Sequence, residues 1–367
     1  MTAEPTVTSV KVQTRTVPTD LPEADGTLAW DSTTVVIVEV QAGDMVGLGW
    51  TYTAAAAAHV IDQVLSPVVV GHSALDPPGL NEAMGRAVRN IGRTGLVAAA
   101  ISAVDIATWD LKARLLGQSV VGLIASTDDP IAIYGSGGFT TYDDDQTTRQ
   151  VEGWLADAGV RQVKIKIGES WGARVERDLA RAELVRDLIG DRELFVDANG
   201  GYSIGQAKRV GRALDDLGVT WFEEPVSSDD LDGLRLLRRH VVADVAAGEY
   251  GDSPAYFRRM LAAQAVDCLQ IDVTRCGGIT AFIRSAAIAA AQNMAVSAHC
   301  APHLHASFVA AVPNLRHVEY FHDHARIEEE IVFAGAEKPR NGHLKSRRDC
   351  VGHGMSLRAG SSAADRG

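Results

Sequence analysis

Three acidic residues stand at equal intervals in the middle of the chain. Asp197, Glu223 and Glu249 each end a short apolar run, and the intervals 197–223 and 223–249 are both 26 residues. That interval accommodates one strand, one helix and two short loops, so each acid is expected to end a new strand of a parallel sheet. Three carboxylates at one edge of a sheet would repel each other unless a cation lay between them. An all-oxygen ligand set with open positions suits Mg²⁺, so we predict that these residues bind Mg²⁺.

Residues that could transfer protons end the neighbouring runs. VKIKIG carries Lys164 and Lys166, which share one face of a strand. We expect the charge of Lys164 to lower the pKa of Lys166 and make it a usable base. Asp272 and His299 end two later runs, where a carboxylate beside an imidazole would fix its tautomer and support its protonated form. Glu319, on the last run, is expected to donate a hydrogen bond to a substrate oxygen in its protonated form.

The elements that position these residues predict an α/β fold. Seven charged strand ends at a βα period indicate a (β/α)₈ barrel over residues 131–325, with its site at the C-terminal ends of the strands. Residues 1–130 have another pattern, with three β-branched strands followed by helices, which predicts an N-terminal α+β capping domain. Residues 18–30 are rich in Pro, Asp and Gly and predict a long lid loop. The residues predicted to contact substrate are Lys164, Asn199, Trp30 and Tyr52.

The C-terminal residues lack the βα rhythm. We expect residues 326–357 to return to the capping domain and residues 358–367, which are small and polar, to be disordered.

Composition narrows the possible partners and the compartment. The net charge is −12 and no block of Lys or Arg is present, so we expect neither nucleic acid nor a membrane as a partner. No apolar run approaches the roughly 18 residues of a membrane span, and the first twenty residues show no signal-peptide pattern. The four cysteines form no C-x-x-C pair, which favours a reducing cytoplasm.

Several motifs occur in an order that resembles the enolase superfamily and, within it, the mandelate racemase group. They are AVDIATWDLKARLLG at 103–117, VKIK, VDAN, WFEEP, AGE, DVTRCGGIT at 272–280, AH and HVE. The stretch SRRDCVGHG, at 346–354, departs from the Pro-rich P-x-x-P-G-x-G turn expected there.

The resemblance implies a mechanism and a role for each candidate residue. The reaction would begin with removal of a proton α to a carboxylate, through an enediolate. Lys166 and the His299–Asp272 dyad would be the acid/base groups, and Glu319 would face the enediolate oxygen opposite the metal. The three spaced acids would bind Mg²⁺, the capping domain would select the substrate, and the protein would be a homo-oligomer.

The overall reaction is less constrained than its first step. Asp, Thr, Ser and Tyr are frequent in the lid and after the first barrel strand, which favours a polyhydroxylated substrate. We therefore expect dehydration of an acid sugar to a 2-keto-3-deoxy acid. The alternatives are a racemase or epimerase of a 2-hydroxy or 2-amino acid, and a non-catalytic sugar-acid-binding paralogue.

Less specific interpretations exist for single residues. Each spaced acid could cap a helix, and Asp272 could form a salt bridge with Arg275. His299, His303 and His305 could bind zinc, although three carboxylates favour a harder metal.

Overall fold

The computed structural model describes residues 4–125 and 129–358 of the chain. The predicted disordered tail, residues 358–367, lies outside this part except for its first residue. Within the two described stretches, no helix combines the length and the hydrophobicity that crossing a membrane requires.

The N-terminal domain begins with an antiparallel sheet whose strands follow the order of the chain. Its strands are β1 (Ser9–Ala24), β2 (Ala29–Ala42) and β3 (Met45–Tyr52). The β-branched runs at residues 7–17, 33–40 and 45–51 predicted three strands here, and each observed strand extends beyond its run. One face of this sheet packs against the helices that follow it, and this packing buries Val36, Val38 and Val40.

The lid is a hairpin, which differs from the long loop predicted over residues 18–30. Most of this stretch either continues β1 or starts β2, and the pairing register shifts after Pro18, because proline has no N–H to donate to the ladder. Only a short turn remains at the tip. Asp25 Oδ1 closes that turn by accepting hydrogen bonds from the backbone N–H groups of Thr27 and Leu28, at 2.6 and 2.7 Å. We call residues 18–30 the lid hairpin.

The helices of the capping domain pack on this sheet. They are Ala57–Val60, Ile61–Leu65 (a π-helical turn), Ser66–Val69, Pro77–Ala87, Leu96–Leu115 and Val120–Ile124. The spacing of apolar residues predicts helices at 54–65, 79–90 and 94–116, whereas Ser66–Val69 and Val120–Ile124 lie outside these ranges. The helix Leu96–Leu115 lies directly on β3 because Gly47 and Gly49 have no side chain. A Cβ atom at Gly49 would lie 2.2 Å from the carbonyl oxygen of Ala103.

The predicted (β/α)₈ barrel is confirmed. Eight parallel strands pair in chain order, and the last pairs with the first, which closes the ring. The strands are β4 (Ile131–Gly137), β5 (Gln162–Lys166), β6 (Glu193–Asp197), β7 (Val219–Glu223), β8 (Asp244–Ala247), β9 (Cys268–Ile271), β10 (Ala295–Ala298) and β11 (Leu315–Phe321).

Helices surround the barrel between its strands. The longer ones are Asp144–Gly153 with a π-helical extension Trp154–Ala158, Val175–Ile189, Ile204–Asp216, Leu231–Leu237, Pro254–Ala262 and Gly278–Ala290. Shorter segments are Glu169–Gly172, Pro302–Ala306, Val309–Ala311, and His322–Arg326 with Ile327–Ile331. The predicted site residues Asp197 and Glu223 lie at the C-terminal ends of β6 and β7.

The C-terminal segment contacts both domains. It contains β12 (Phe333–Ala334), β13 (His343–Leu344) and β14 (Ser356–Leu357), of which β13 pairs with β4 of the barrel. The backbone N–H of His353 donates to Asp110 Oδ1 at 2.8 Å, and Arg114 donates to the carbonyl of Met355 at 3.2 Å. The stretch SRRDCVGHG thus reaches the helix Leu96–Leu115 without the expected Pro-rich turn.

We expect Gly49→Ala to lower the free energy of unfolding by about 1–3 kcal/mol, because the added methyl group would force β3 away from its helix. Gly85→Ala is the matched control, since a Cβ atom there meets nothing within 4 Å. That change in the helix Pro77–Ala87 should leave stability equal or raise it by roughly 0.5–1 kcal/mol. Chemical denaturation followed by fluorescence measures both, and equal effects of the two changes would contradict the packing argument.

Candidate active site

The capping domain and the mouth of the barrel enclose a cavity of about 410 Å³. The capping domain contributes nine residues, which we call the cap wall: Asp25, Leu28, Trp30, Ser32, Thr33, Thr34, Tyr52, Thr53 and Ala54. The barrel contributes, among others, the predicted site residues Lys166, Asn199, Glu249, His299 and Glu319. Residues that are up to 299 positions apart in the chain, Asp25 and His324, thus face one space (324 − 25 = 299).

Asp197, Glu223 and Glu249 converge at neighbouring strand ends. Asp197 ends β6 and Glu223 ends β7, and these two residues are paired in the parallel register. Glu249 lies just after β8. One carboxylate oxygen of each residue lies within 4.8 Å of the others, and all three side chains are buried. We call these three residues the carboxylate cluster.

The cluster has the chemistry of a divalent-cation site. Burial and repulsion from Asp197 raise the pKa of Glu223 to about 8. Glu249 Oε2 is buried and accepts no hydrogen bond from the described residues, although His299 Nε2 lies 3.2 Å away. Buried carboxylate oxygens without full partners are costly, and a hard cation that prefers oxygen ligands would satisfy them.

The two lysines of β5 both reach these acids, as their shared face predicted. Lys166 Nζ lies 2.5 Å from Asp197 Oδ2, and Lys164 Nζ lies 2.6 Å from Glu223 Oε1 and 2.8 Å from Glu319 Oε1. The prediction of a lowered pKa for Lys166 is wrong for this structure. Burial is the largest effect and would lower that pKa, but the carboxylates of Asp197, Glu249 and Glu223 together outweigh it and raise the pKa above its ordinary value. Lys164 is fully buried and does not line the cavity, so it balances charge instead of facing substrate.

His299 and Asp272 form the expected dyad. His299 Nδ1 lies 2.9 Å from Asp272 Oδ2, and the ring follows β10 directly. Burial alone would lower the pKa of His299, but the surrounding acidic groups raise it well above its ordinary value. Asp272 Oδ2 also lies 3.5 Å from Arg275 Nε. The salt bridge with Arg275, considered above as an alternative role for Asp272, is therefore present together with the dyad. His299 on β10 and Lys166 on β5 therefore flank the strands that carry the carboxylate cluster.

Glu319 is an acceptor in this structure, which differs from the protonated donor predicted for it. Its Oε1 accepts a hydrogen bond from Ser136 Oγ at 2.6 Å and its Oε2 accepts one from the backbone N–H of Cys300 at 3.0 Å. Burial is the largest effect and would raise the pKa of Glu319, but Lys164, His299 and Lys166 together outweigh it and lower the pKa. The carboxylate is held ionised between donors that come from β4 and β5 and from the end of β10.

Trp30, Tyr52 and Asn199, predicted to contact substrate, line the cavity, but two of them have their polar atoms committed elsewhere. Trp30 Nε1 donates to Glu23 Oε2 at 2.8 Å, and the Tyr52 hydroxyl donates to Glu328 Oε1 at 3.0 Å. Asn199 Oδ1 has no hydrogen-bond partner in the described chain. The two aromatic residues therefore offer ring surface to the cavity, and Asn199 offers a polar group.

Arg275 and His324 are among the cavity residues that the sequence reasoning missed as site residues. Arg275 lies 3.2 Å from Glu249 Oε1, and its position in DVTRCGGIT was the signal that could have identified it. His324 also lines the cavity, and its ring stacks on Tyr52 with the centroids 3.5 Å apart. His324 had no sequence signal, because it lies in a short helix whose position depends on tertiary packing.

The three histidines considered for zinc do not come together. His303 Nε2 lies 2.8 Å from Glu329 Oε1, and His305 Nε2 accepts a hydrogen bond from the backbone N–H of Val273 at 3.2 Å. Only His299 among them lines the cavity. His299, Cys300 and Glu319 do offer ligand atoms within 4.8 Å of one another, but Asp272 and backbone groups already bond two of them.

A capped (β/α)₈ barrel with a carboxylate cluster between a lysine and a histidine–aspartate dyad defines a class of enzymes that act at carbon next to a carboxylate. Comparison with known proteins agrees with that class. A family model for the mandelate racemase / muconate lactonizing enzyme N-terminal domain matches residues 6–125, and one for the enolase C-terminal domain-like region matches residues 146–361. The chain belongs to the mandelate racemase / muconate lactonizing enzyme family of the enolase superfamily.

Similar proteins cover nearly the whole chain. A mandelate racemase/muconate lactonizing enzyme-like protein from Rubrobacter xylanophilus has 44% identity and a TM-score of 0.92, over 96% of this chain and 98% of that one. The 3,6-anhydro-alpha-L-galactonate cycloisomerase of Streptomyces coelicolor is 30% identical over 88% of this chain and 89% of its own length. L-talarate/galactarate dehydratase of Salmonella typhimurium, solved with Mg and L-lyxarohydroxamate, is 25% identical with a TM-score of 0.87, over 97% and 92% of the two chains.

We expect Glu223→Gln to weaken Mg²⁺ binding at least tenfold, because it removes one negative charge from the carboxylate cluster. Glu193→Gln is the matched control, since Glu193 is exposed at the opposite end of β6. Isothermal titration calorimetry of Mg²⁺ into each variant gives the affinities. Unchanged affinity in Glu223→Gln would remove this residue from the ligand set.

Proposed function

We propose that this chain is a Mg²⁺-dependent enzyme that removes the proton α to the carboxylate of an acid sugar and dehydrates the sugar to a 2-keto-3-deoxy acid. One observation carries the proposal. The carboxylate cluster lies between Lys166 and His299, and both of these side chains line the cavity. A base on one side and an acid on the other suit a reaction that takes a proton from carbon and gives one to a departing oxygen.

The residues that would hold the metal are Asp197, Glu223 and Glu249, whose oxygens match the preference of Mg²⁺. The Salmonella dehydratase, which was solved with Mg, supports the choice of ion. When bound, the ion would neutralise negative charge that develops on the substrate carboxylate.

Lys166 is the proposed base. Its amine, in the neutral form, takes the α-proton, and the electron pair of the broken C–H bond becomes part of an enediolate. Those electrons then form the new carbon–carbon double bond and expel the β-hydroxyl. The departing hydroxyl takes the proton that His299 carries and leaves as water, and the enol product tautomerises to the 2-keto acid. Asp272, 2.9 Å from His299 Nδ1, holds the ring in position for that transfer.

The cap wall supports a polyhydroxylated substrate over an aromatic one. Ser32, Thr33, Thr34 and Thr53 bring hydroxyl groups to the cavity. Hydroxyl groups can donate and accept hydrogen bonds, which matches a chain of sugar hydroxyls. The names of the relatives agree with this choice, since they include talarate/galactarate, arabinonate and L-rhamnonate dehydratases.

With Mg²⁺ in D₂O, we expect at least one acid sugar of a broad library to lose its α-proton signal and form a 2-keto-3-deoxy acid. Proton NMR follows the loss of the α-proton signal and the formation of product in one sample, because both begin with removal of the α-proton. The same library without the divalent ion, after chelation, is the control. A library in which no compound yields a 2-keto product would contradict the dehydratase proposal.

We expect His299→Asn to abolish product formation, by at least about a hundredfold, and to leave α-proton exchange with solvent, because Lys166 remains. His240→Asn, an exposed histidine after the helix Leu231–Leu237, is the matched control and should behave as the unaltered protein. Exchange and product are measured on the same NMR samples. Loss of exchange together with product would mean that the two groups do not act separately.

The same pair of groups also suits a racemase or epimerase, in which the enediolate receives a proton on its other face. The position of Lys166 and His299 on either side of the carboxylate cluster is the observation that favours this second candidate. Conversion of one stereoisomer into the other, without 2-keto product, would identify it. A Lys166→Ala variant that kept the full biological function would instead favour a non-catalytic sugar-acid-binding protein.

A further inference from the structure

The cap wall carries negative charge at its surface. Asp25 lines the cavity, and its Oδ1 accepts hydrogen bonds from the turn of the lid hairpin. This carboxylate is half-buried and faces the same cavity as Lys166 and His299.

Two further carboxyl groups lie directly behind the cap wall. Trp30 donates its indole N–H to Glu23 Oε2 at 2.8 Å, and the Thr33 hydroxyl donates to Asp323 Oδ2. Both carboxyl groups are fully buried, and Glu23 Oε1 has no hydrogen-bond partner among the described residues. Burial and the neighbouring Asp323 raise the pKa of Glu23 to about 8, so near neutral pH this carboxyl group is mostly protonated and adds little negative charge.

The nearby Arg326 does not supply a free positive charge to a ligand in the cavity. Arg326 lies 2.6 Å from Asp323 Oδ1 and 3.1 Å from Asp20 Oδ1, so its charge is shared between two acids. Arg326 is not among the residues that line the cavity.

The cations that do line the cavity, among the described residues, lie at its barrel end. Lys166 pairs with Asp197, Arg275 pairs with Glu249 and Asp272, and His299 pairs with Asp272. All three are therefore placed to act on the reacting end of a substrate.

His324, the remaining basic side chain near the cap wall, is neutral. Its Nδ1 accepts a hydrogen bond from the backbone N–H of Ala301 at 3.3 Å, which a protonated ring could not do. The remaining ring proton is then on Nε2, so His324 can donate a hydrogen bond to a hydroxyl but brings no positive charge to a carboxylate.

We propose, on the basis of the function proposed above, that the substrate is a polyhydroxylated monocarboxylate with an uncharged far end, and that sugar diacids are excluded. A second carboxylate at the far end would share the cavity with the carboxylate of Asp25, and none of the described cap-wall residues is a cation that could pair with it. Burying such a charge is costly, and like charges across an interface reject a ligand more effectively than missing contacts do.

The test compares pairs of substrates that differ only at the far end: an aldonate, which ends in CH₂OH, and the aldarate of the same stereochemistry. We expect kcat/KM for the aldonate to exceed that for the aldarate at least tenfold, about 1.4 kcal/mol, in every pair where either reacts. An aldarate that reacts as well as its aldonate would overturn the inference and leave the proposed function intact.

Asp25→Asn tests the charge of the cap wall itself, because asparagine keeps the Oδ1 acceptor of the turn and removes only the charge. We expect it to raise the aldarate-to-aldonate ratio of kcat/KM by about threefold or more. Asp31→Asn, an equal charge change at an exposed position of β2 outside the cavity lining, should leave the ratio unchanged. Equal ratios in the two variants would overturn the role of Asp25.

Binding separates this inference from the proposed reaction. Calorimetry with the Mg²⁺-loaded Lys166→Ala protein measures the affinity of both members of a pair without turnover. Tighter binding of the aldarate would overturn the inference whatever the catalytic result. Preferred binding of the aldonate, with no exchange or product in the unaltered protein, would support the inference and reject the proposed function.

Discussion

The arrangement of the active site depends on the compensation of charge among buried carboxylates at the mouth of the barrel. Lys164 is fully buried between Glu223 and Glu319, 2.6 and 2.8 Å away, and Lys166 pairs with Asp197. Removing one member of such a buried set leaves an uncompensated charge, which costs far more than the pair contributes. Each strand end therefore has to deliver its residue to one place, and the closed barrel does so because parallel strands expose all their C-terminal ends on one face.

The capping domain completes the site from the opposite side and has a different task. Its wall contributes hydroxyl groups, aromatic rings and the carboxylate of Asp25, whereas the ionisable groups suited to proton transfer come from the barrel. The two domains are held in one arrangement by contacts away from the cavity, such as the Thr51 hydroxyl, which donates to the carbonyl of Thr274 at 2.7 Å. The C-terminal segment adds its hydrogen bond to Asp110. Chemistry and substrate selection can thus differ independently on the same fold.

The confirmed predictions were those based on the regular βα spacing of the sequence. Strand ends spaced by one βα unit carry their side chains to one rim, so the approach of Asp197, Glu223 and Glu249 followed from their intervals alone. The pKa shifts of Lys166 and Glu319 differ from the predicted ones, because each depends on neighbours from distant strands. Asp197 reverses the effect of Lys164 on Lys166, and Lys164 keeps Glu319 ionised.

By itself, the sequence determined the barrel, the order of its strands and the residue types at the strand ends, since alternation and helical periodicity are local properties. Tertiary structure decided which side chains face the cavity. The lid forms a hairpin because β1 pairs with β2, which also brings Glu23 to Trp30. The position of Asp323 behind Thr33 arose from packing between residues 290 positions apart. The electrostatic character of the cap wall results from these long-range contacts, because burial and neighbouring charges act through space and not along the chain.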